Sequence, residues 1–172
     1  MTAHSGEFAA LIDELIPRLR RYARALTGDR NAADDLVQDT LERAWTKRHL
    51  WRTGSDLRAW LFTIMHNVHV NQIRSRAASA TLPLDDEAAD APVRASQADL
   101  LEVRDIDSAL RRLPFDQRTV LLLVALEHMT YQETATTLGI PIGTVMSRLA
   151  RARERLRIML DADGGAVLKV VK

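Results

Sequence analysis

The chain has 172 residues, 47% of them hydrophobic and 27% charged, which is enough apolar surface for a packed interior in one domain or two small ones. It has no cysteine, so disulfides, thiolate metal sites and cysteine nucleophiles are excluded together. The longest strongly apolar run, residues 120–126, is far short of the roughly 20 residues that a membrane-spanning helix needs. The N-terminus lacks a basic-then-apolar leader pattern, and the expectation is a cytoplasmic protein without membrane insertion.

The formal net charge of +1 hides a segregation. Residues 1–76 carry 12 basic and 9 acidic side chains, residues 77–107 carry 2 and 8, and residues 108–172 carry 10 and 6. Two basic lobes therefore flank an acidic connector, an asymmetry that suits a polyanionic partner for the lobes.

Helical periodicity dominates along the chain. Phe8, Leu11, Ile12, Leu15, Leu19 and Tyr22 recur at steps of three and four and predict a helix over residues 7–25 with one buried face, bent or split at Pro17. A turn at Gly28 and Asp29 and a cap at Asn31 lead into a second helix, whose Leu36, Val37, Leu41, Ala44 and Trp45 form its apolar stripe. After a break at residues 52–56, Leu57, Trp60, Leu61, Ile64, Met65, Val68 and Ile73 predict a third helix running to about Arg76. Residues 77–98 combine alanine, proline and acids with little periodicity and read as a flexible linker at a domain boundary. Helical patterning resumes near Leu100, stops at Pro114 and resumes over residues 115–128.

The densest signal lies in residues 129–156. Thr130 and Glu133 have capping-box spacing, in which the hydroxyl accepts a backbone N–H and the carboxylate reaches back to another. That helix should end at Gly139, and Pro141 suits the start of the next one. There Val145, Leu149, Ala152 and Leu156 share a face to be buried, while Thr144, Ser147, Arg148, Arg151 and Arg155 point elsewhere. Helix, tight turn and helix with free arginines is the pattern of a DNA reader, since arginine donates bidentately to guanine or phosphate. Arginines kept only for solubility are the plainer alternative, and the cap, turn and stripe together argue against it.

An enzyme finds little support. His66 and His69 lie one turn apart near Asp34, Asp35 and Asp39, but spacing fixes no third ligand, and neither a zinc-protease motif nor a phosphate-cradling glycine loop occurs. No metal, cofactor or catalytic residue is expected.

Several of these residues carry a family resemblance. Leu113-Pro114, Arg118, Tyr131, Glu133, Gly139, Gly143-Thr144-Val145, Ser147-Arg148-Leu149 and Arg151-Ala152-Arg153, with "DDLVQDTLERAW" at 34–45 and "LRAWLFTIMHNVHVNQIRSR" at 57–76, resemble the extracytoplasmic-function group of the sigma-70 family. The resemblance implies an all-α chain of two small helical domains: region 2 at 1–76, an acidic linker at 77–98, region 4 at 99–160 and a tail at 161–172. It implies core RNA polymerase and promoter DNA as partners, with an anti-sigma factor as a third. Asp35, Gln38, Asp39 and Thr40 would dock on the polymerase clamp helices. Lys47, Arg48, Trp51, Arg52, Ser55, Asn67, Arg74 and Arg76 would engage the minus-10 element, residues 47–57 being the loop that captures a flipped base and Trp60 its supporting core. Trp51 is open to a second reading as a half-buried hydrophobic contact. Thr144, Met146, Ser147, Arg148, Arg151 and Arg155 would read the minus-35 element. Thr134, Asn71 and Met146 depart from the family pattern, Met146 beside the positions expected to touch bases. A stand-alone helix-turn-helix regulator is the alternative, and it leaves the first 76 residues without a role.

Overall fold

The computed structural model describes residues 2–79 and 97–162, and every described element is helical. The chain divides into two compact units.

The first unit is a three-helix assembly of α1 (Thr2–Thr27), α2 (Arg30–Thr46) and α3 (Leu57–Ser79), with a 3-10 turn at Arg48–Leu50. α1 continues through Pro17. That proline stands on the exposed face, where water can solvate the carbonyl of Asp13 that loses its helical partner. Gly28, at φ 71°, closes α1. The cap of α2 is Asp29 rather than Asn31: its backbone is extended, and Oδ1 accepts the Ala32 N–H at 2.7 Å. α1 and α3 both pack on α2. Phe8, Ile12, Leu19, Tyr22 and Leu26 of α1 meet Leu36 and Val37 of α2 and Leu61, Met65 and Val68 of α3 in the core. Tyr22 and Phe62 lock edge to face at 5.0 Å.

The second unit contains α4 (Gln97–Arg112), α5 (Phe115–Ala125), the start of α6 (Tyr131–Leu138) and α7 (Ile142–Ala162). α4 and α5 pack against α7, whose Val145, Leu149, Ala152 and Leu160 are buried while Leu156 is half-buried. The turn between α4 and α5 is tied by the half-buried Arg118, whose guanidinium donates to the carbonyls of Arg111 at 2.6 Å and Leu113 at 3.0 Å. Burial lowers the Arg118 pKa from its ordinary value, Arg111 adding to the effect and Asp107 opposing it. The capping box forms as expected: Thr130 N–H donates to Glu133 at 2.7 Å, and Glu133 N–H donates to the Thr130 hydroxyl at 3.1 Å. Gly139 takes φ 65°, and α7 starts immediately after Pro141. Thr134, which departs from the expected pattern, is fully buried, its hydroxyl donating to the Thr130 carbonyl at 2.9 Å, which satisfies the polar group without a partner from elsewhere.

Several boundaries differ from the sequence expectation: α1 spans Thr2–Thr27 rather than 7–25, and α5 ends at Ala125 rather than at 128. α3 runs past Arg76 to Ser79, and α4 starts at Gln97, so helix takes both ends of the expected linker. Residues 80–96 and 163–172, which include the rest of that linker and most of the expected tail, lie outside the described residues.

Candidate functional site

Three surfaces carry the residues singled out from the sequence. On α2, burial of Ala33, Leu36, Val37, Thr40 and Ala44 turns Asp35, Gln38, Asp39 and Glu42 outward as one stripe. Gln38 donates to Glu42 at 3.1 Å, and Gln72 of α3 donates to Asp39 at 2.8 Å. With Gln72, Ser75 and Arg76, the residues Asp35, Gln38 and Asp39 line an open polar groove of about 370 Å³. Thr40 is not part of this surface. It is fully buried, and its hydroxyl donates to the Leu36 carbonyl at 2.7 Å, so its role is packing rather than docking. Its place four residues after Leu36 and four before Ala44 puts it on the buried stripe, a signal already present in the spacing. Arg76, expected in the minus-10 set, lines this same groove beside Asp35, Gln38 and Asp39.

The second surface is the loop between α2 and α3. Lys47, Arg48, Arg52 and Ser55 are exposed, and Gly54 adopts φ 87°. Arg48 lies over the Trp45 ring at 5.3 Å and donates to the Trp45 carbonyl at 2.9 Å. Ser55 turns back to donate to the Arg52 carbonyl at 2.7 Å, and Asp56 caps α3 by accepting the Ala59 N–H at 3.1 Å. Trp51 is half-buried with its ring 5.5 Å from Phe8, in line with the second reading of that residue. Trp45 and Trp60 also converge on Phe8, at 6.0 Å and 6.3 Å, so all three tryptophans of the chain surround one buried phenylalanine of α1. This aromatic hub anchors the loop. Sequence reasoning missed it, because no local spacing connects residue 8 to residues 45, 51 and 60. Trp45 is 45% exposed, not buried in the α2 stripe. Asn67 and Arg74 are exposed on α3.

The third surface is α7. At about 100° per residue, Thr144, Arg148, Arg151 and Arg155 fall on one flank of the buried stripe, with Ser147 adjoining. Ser147 donates to the Thr144 carbonyl at 3.1 Å. Met146, 53% exposed, lies on the other flank, roughly 170° from the centre of the arginine row. The structure thus gathers five of the six expected minus-35 residues and sets Met146 apart. Arg151, Arg153 and Arg155 make no ion pair with any described residue. Arg148 pairs with Asp116 of α5 at 3.0 Å. Arg157 is held between Glu154 at 2.8 Å and Asp161 at 3.0 Å, which raises its pKa and, by the same hydrogen bond, lowers that of Glu154.

Among the described residues, no group of three histidine, aspartate or glutamate side chains could hold a metal ion, and no helix is long and apolar enough to cross a membrane.

Known proteins share this arrangement. The family model for the Sigma2 domain of PhyR matches residues 12–66, and that for Sigma-70, region 4 matches residues 104–156. The ECF RNA polymerase sigma factor EcfG of Rhodopseudomonas palustris is 38% identical over 149 residues, covering 87% of this chain and 82% of its own. SigL of Mycobacterium tuberculosis, also an ECF RNA polymerase sigma factor, is 34% identical over 166 residues, covering 94% and 93%. Among solved structures, the sigma factor RpoE of Bartonella quintana, in complex with the anti-sigma factor NepR, superposes with a TM-score of 0.77 at 36% identity over 91% of this chain and 98% of that one. CnrH, in complex with the cytosolic domain of CnrY, gives 0.68 at 29% identity over 91% and 88%. With two sigma-type helical units, a capped helix-turn-helix in the second and relatives of this similarity along nearly the whole length, the chain belongs to the ECF RNA polymerase sigma factors, alternative sigma factors that direct promoter-specific transcription initiation.

Proposed function

We propose that the chain divides this task between its units. The first, through Ser79, docks on core RNA polymerase by the α2 stripe of Asp35, Gln38 and Asp39 and holds the minus-10 strand at the loop of Lys47, Arg48, Arg52 and Ser55. The second, from Gln97, places the start of α7 in the major groove of the minus-35 element. Residues 80–96 bridge the two. The observation that carries this reading is the flank of α7, where Thr144, Ser147, Arg148, Arg151 and Arg155 share one side of a helix that follows the capped α6 and the turn at Gly139.

In the first unit the aromatic hub at Phe8 fixes the ends of the loop while its cations stay exposed, an arrangement suited to gripping a melted strand beside a basic rim. The protein makes and breaks no covalent bond; its action is selective binding, and it works in the cytoplasm where polymerase and DNA are. An anti-sigma factor is a further partner, a reading supported by the complexes of RpoE with NepR and of CnrH with CnrY.

Run-off transcription tests the proposal. Core polymerase supplemented with the purified chain should start at a defined promoter, and the chain alone should bind that duplex weakly. Tight, specific binding to duplex DNA without polymerase would favour a stand-alone regulator instead.

A further inference from the structure

We propose that Asp116, which lies outside the recognition helix, sets that helix's base preference by orienting Arg148. The inference rests on the reading of α7 as the minus-35 reader and concerns which contact that helix makes. Arg148 is the seventh residue of α7, within the N-terminal part that reaches base edges in a helix-turn-helix. Its Nη2 lies 3.0 Å from Asp116 Oδ2, and its side chain is 28% exposed, whereas Arg151, Arg153 and Arg155 are exposed and pair with no described residue.

The difference has chemical content. A free arginine must give up rotamer freedom when a complex fixes it. Arg148 has already been fixed in part. Its stem borders the buried stripe next to Leu149, and its guanidinium is held from the α5 side. Asp116 meets the fork as an ion pair at Nη2, and the N–H donors of the guanidinium remain for an acceptor pair such as guanine O6 and N7. The carboxylate is itself well placed. It sits in the first turn of α5, where the helix N-terminus favours negative charge, and α5 packs directly on α7.

Removal of this carboxylate acts in two opposed directions. It takes a negative charge away from the DNA side, which favours binding to any duplex, and it frees Arg148, which weakens discrimination at one base pair. A residue that merely held the fold together would lower stability and affinity for all sites together.

The test uses the full chain assembled with core polymerase, a panel of single-base minus-35 variants and two salt concentrations. Wild type, Asp116→Asn, Arg148→Ala and the double mutant are compared, with thermal melting of each free protein. Asp116→Asn is expected to reduce preference at one position about tenfold without weakening binding to the remaining variants. That position should be the one flattened by Arg148→Ala, and the double mutant should discriminate no worse than Arg148→Ala alone. An unchanged preference pattern, an equal shift for every variant, loss at a different position, or a large fall in melting temperature would each overturn the assignment. If the wild-type holoenzyme shows no minus-35 preference at all, it is the reading of α7 that fails, and the role of Asp116 falls with it.

Discussion

α2 and α7 follow the same plan and end with opposite surfaces. Each buries one stripe of small and aliphatic side chains and turns a row of polar residues outward, but the row on α2 is carboxylate and amide while that on α7 is mostly arginine. Each row is also tied to a neighbouring helix at one point, Asp39 to Gln72 and Arg148 to Asp116. The amphipathic pattern therefore says only that a helix lies on a surface. The sign and shape of the outward row decide whether a protein or a polyanion meets it, and the cross-helix tie decides which member of the row is pre-oriented.

Both helices depend first on the buried stripe that seats them. Leu149 is 2% exposed on the buried stripe of α7, and Leu149→Asp should cost more than about 3 kcal/mol and unfold the second unit. Circular dichroism should then show partial loss of helix, while binding to core polymerase by the first unit persists. Loss of both units together would mean that they do not fold independently.

Replacement of the α2 row leaves the fold in place and changes the partner. Asp35→Arg combined with Gln38→Ala should weaken core polymerase binding by tenfold or more at normal helicity, because both side chains are exposed. Unchanged affinity in a binding titration would remove this stripe from the interface.

On α7 the corresponding change is more selective. Arg151→Ala should cost about 1 to 3 kcal/mol at one minus-35 position if the guanidinium reads a base, whereas Arg153→Ala, on the other flank, should leave the preference pattern unaltered. An equal loss for every promoter variant would make Arg151 a phosphate contact. Arg153→Ala serves to show whether the row, or arginine content alone, matters.

The smallest effect lies at the end of α7, where Glu154, Arg157 and Asp161 pair on the exposed surface. The hydrogen bond from Arg157 holds the Glu154 carboxyl below its ordinary range, so whatever stability it contributes is present above that range and is lost as the pH falls through the lowered value. Melting curves of wild type and Glu154→Gln should differ slightly at neutral pH and converge in acid. Surface pairs of this type contribute little, and a gap that widens in acid would contradict the sign. With Arg157 engaged in this way, it should contribute less to DNA affinity than the unpaired arginines of the row.

Much of the fold was legible because its determinants are close along the chain. The Thr130 and Glu133 box, the left-handed Gly139 and the stripe from Val145 to Ala152 all depend on neighbours three or four residues away, and each appears where the spacing puts it. The cap of α2 was displaced by two residues, since Asp29 and Asn31 are both good caps and only the path of the chain out of Gly28 selects between them. The candidate site was legible as a set of outward rows, but not in its detail. Thr40 and Met146 could have been sorted by the helical wheel, one onto the buried stripe of α2 and the other onto the far flank of α7.

By itself the sequence determined the helices, most of their buried faces, the capped α6 with the turn that follows it, and the family. The tertiary structure alone decided that three tryptophans close around Phe8, that Gln72 reaches Asp39, that Arg76 joins the groove of Asp35, Gln38 and Asp39, and that Asp116 pairs with Arg148. The physical reason is range. Caps and stripes are set by covalent geometry over a single turn, whereas these pairings join residues far apart in the chain, and they exist only after hydrophobic burial has brought the helices together.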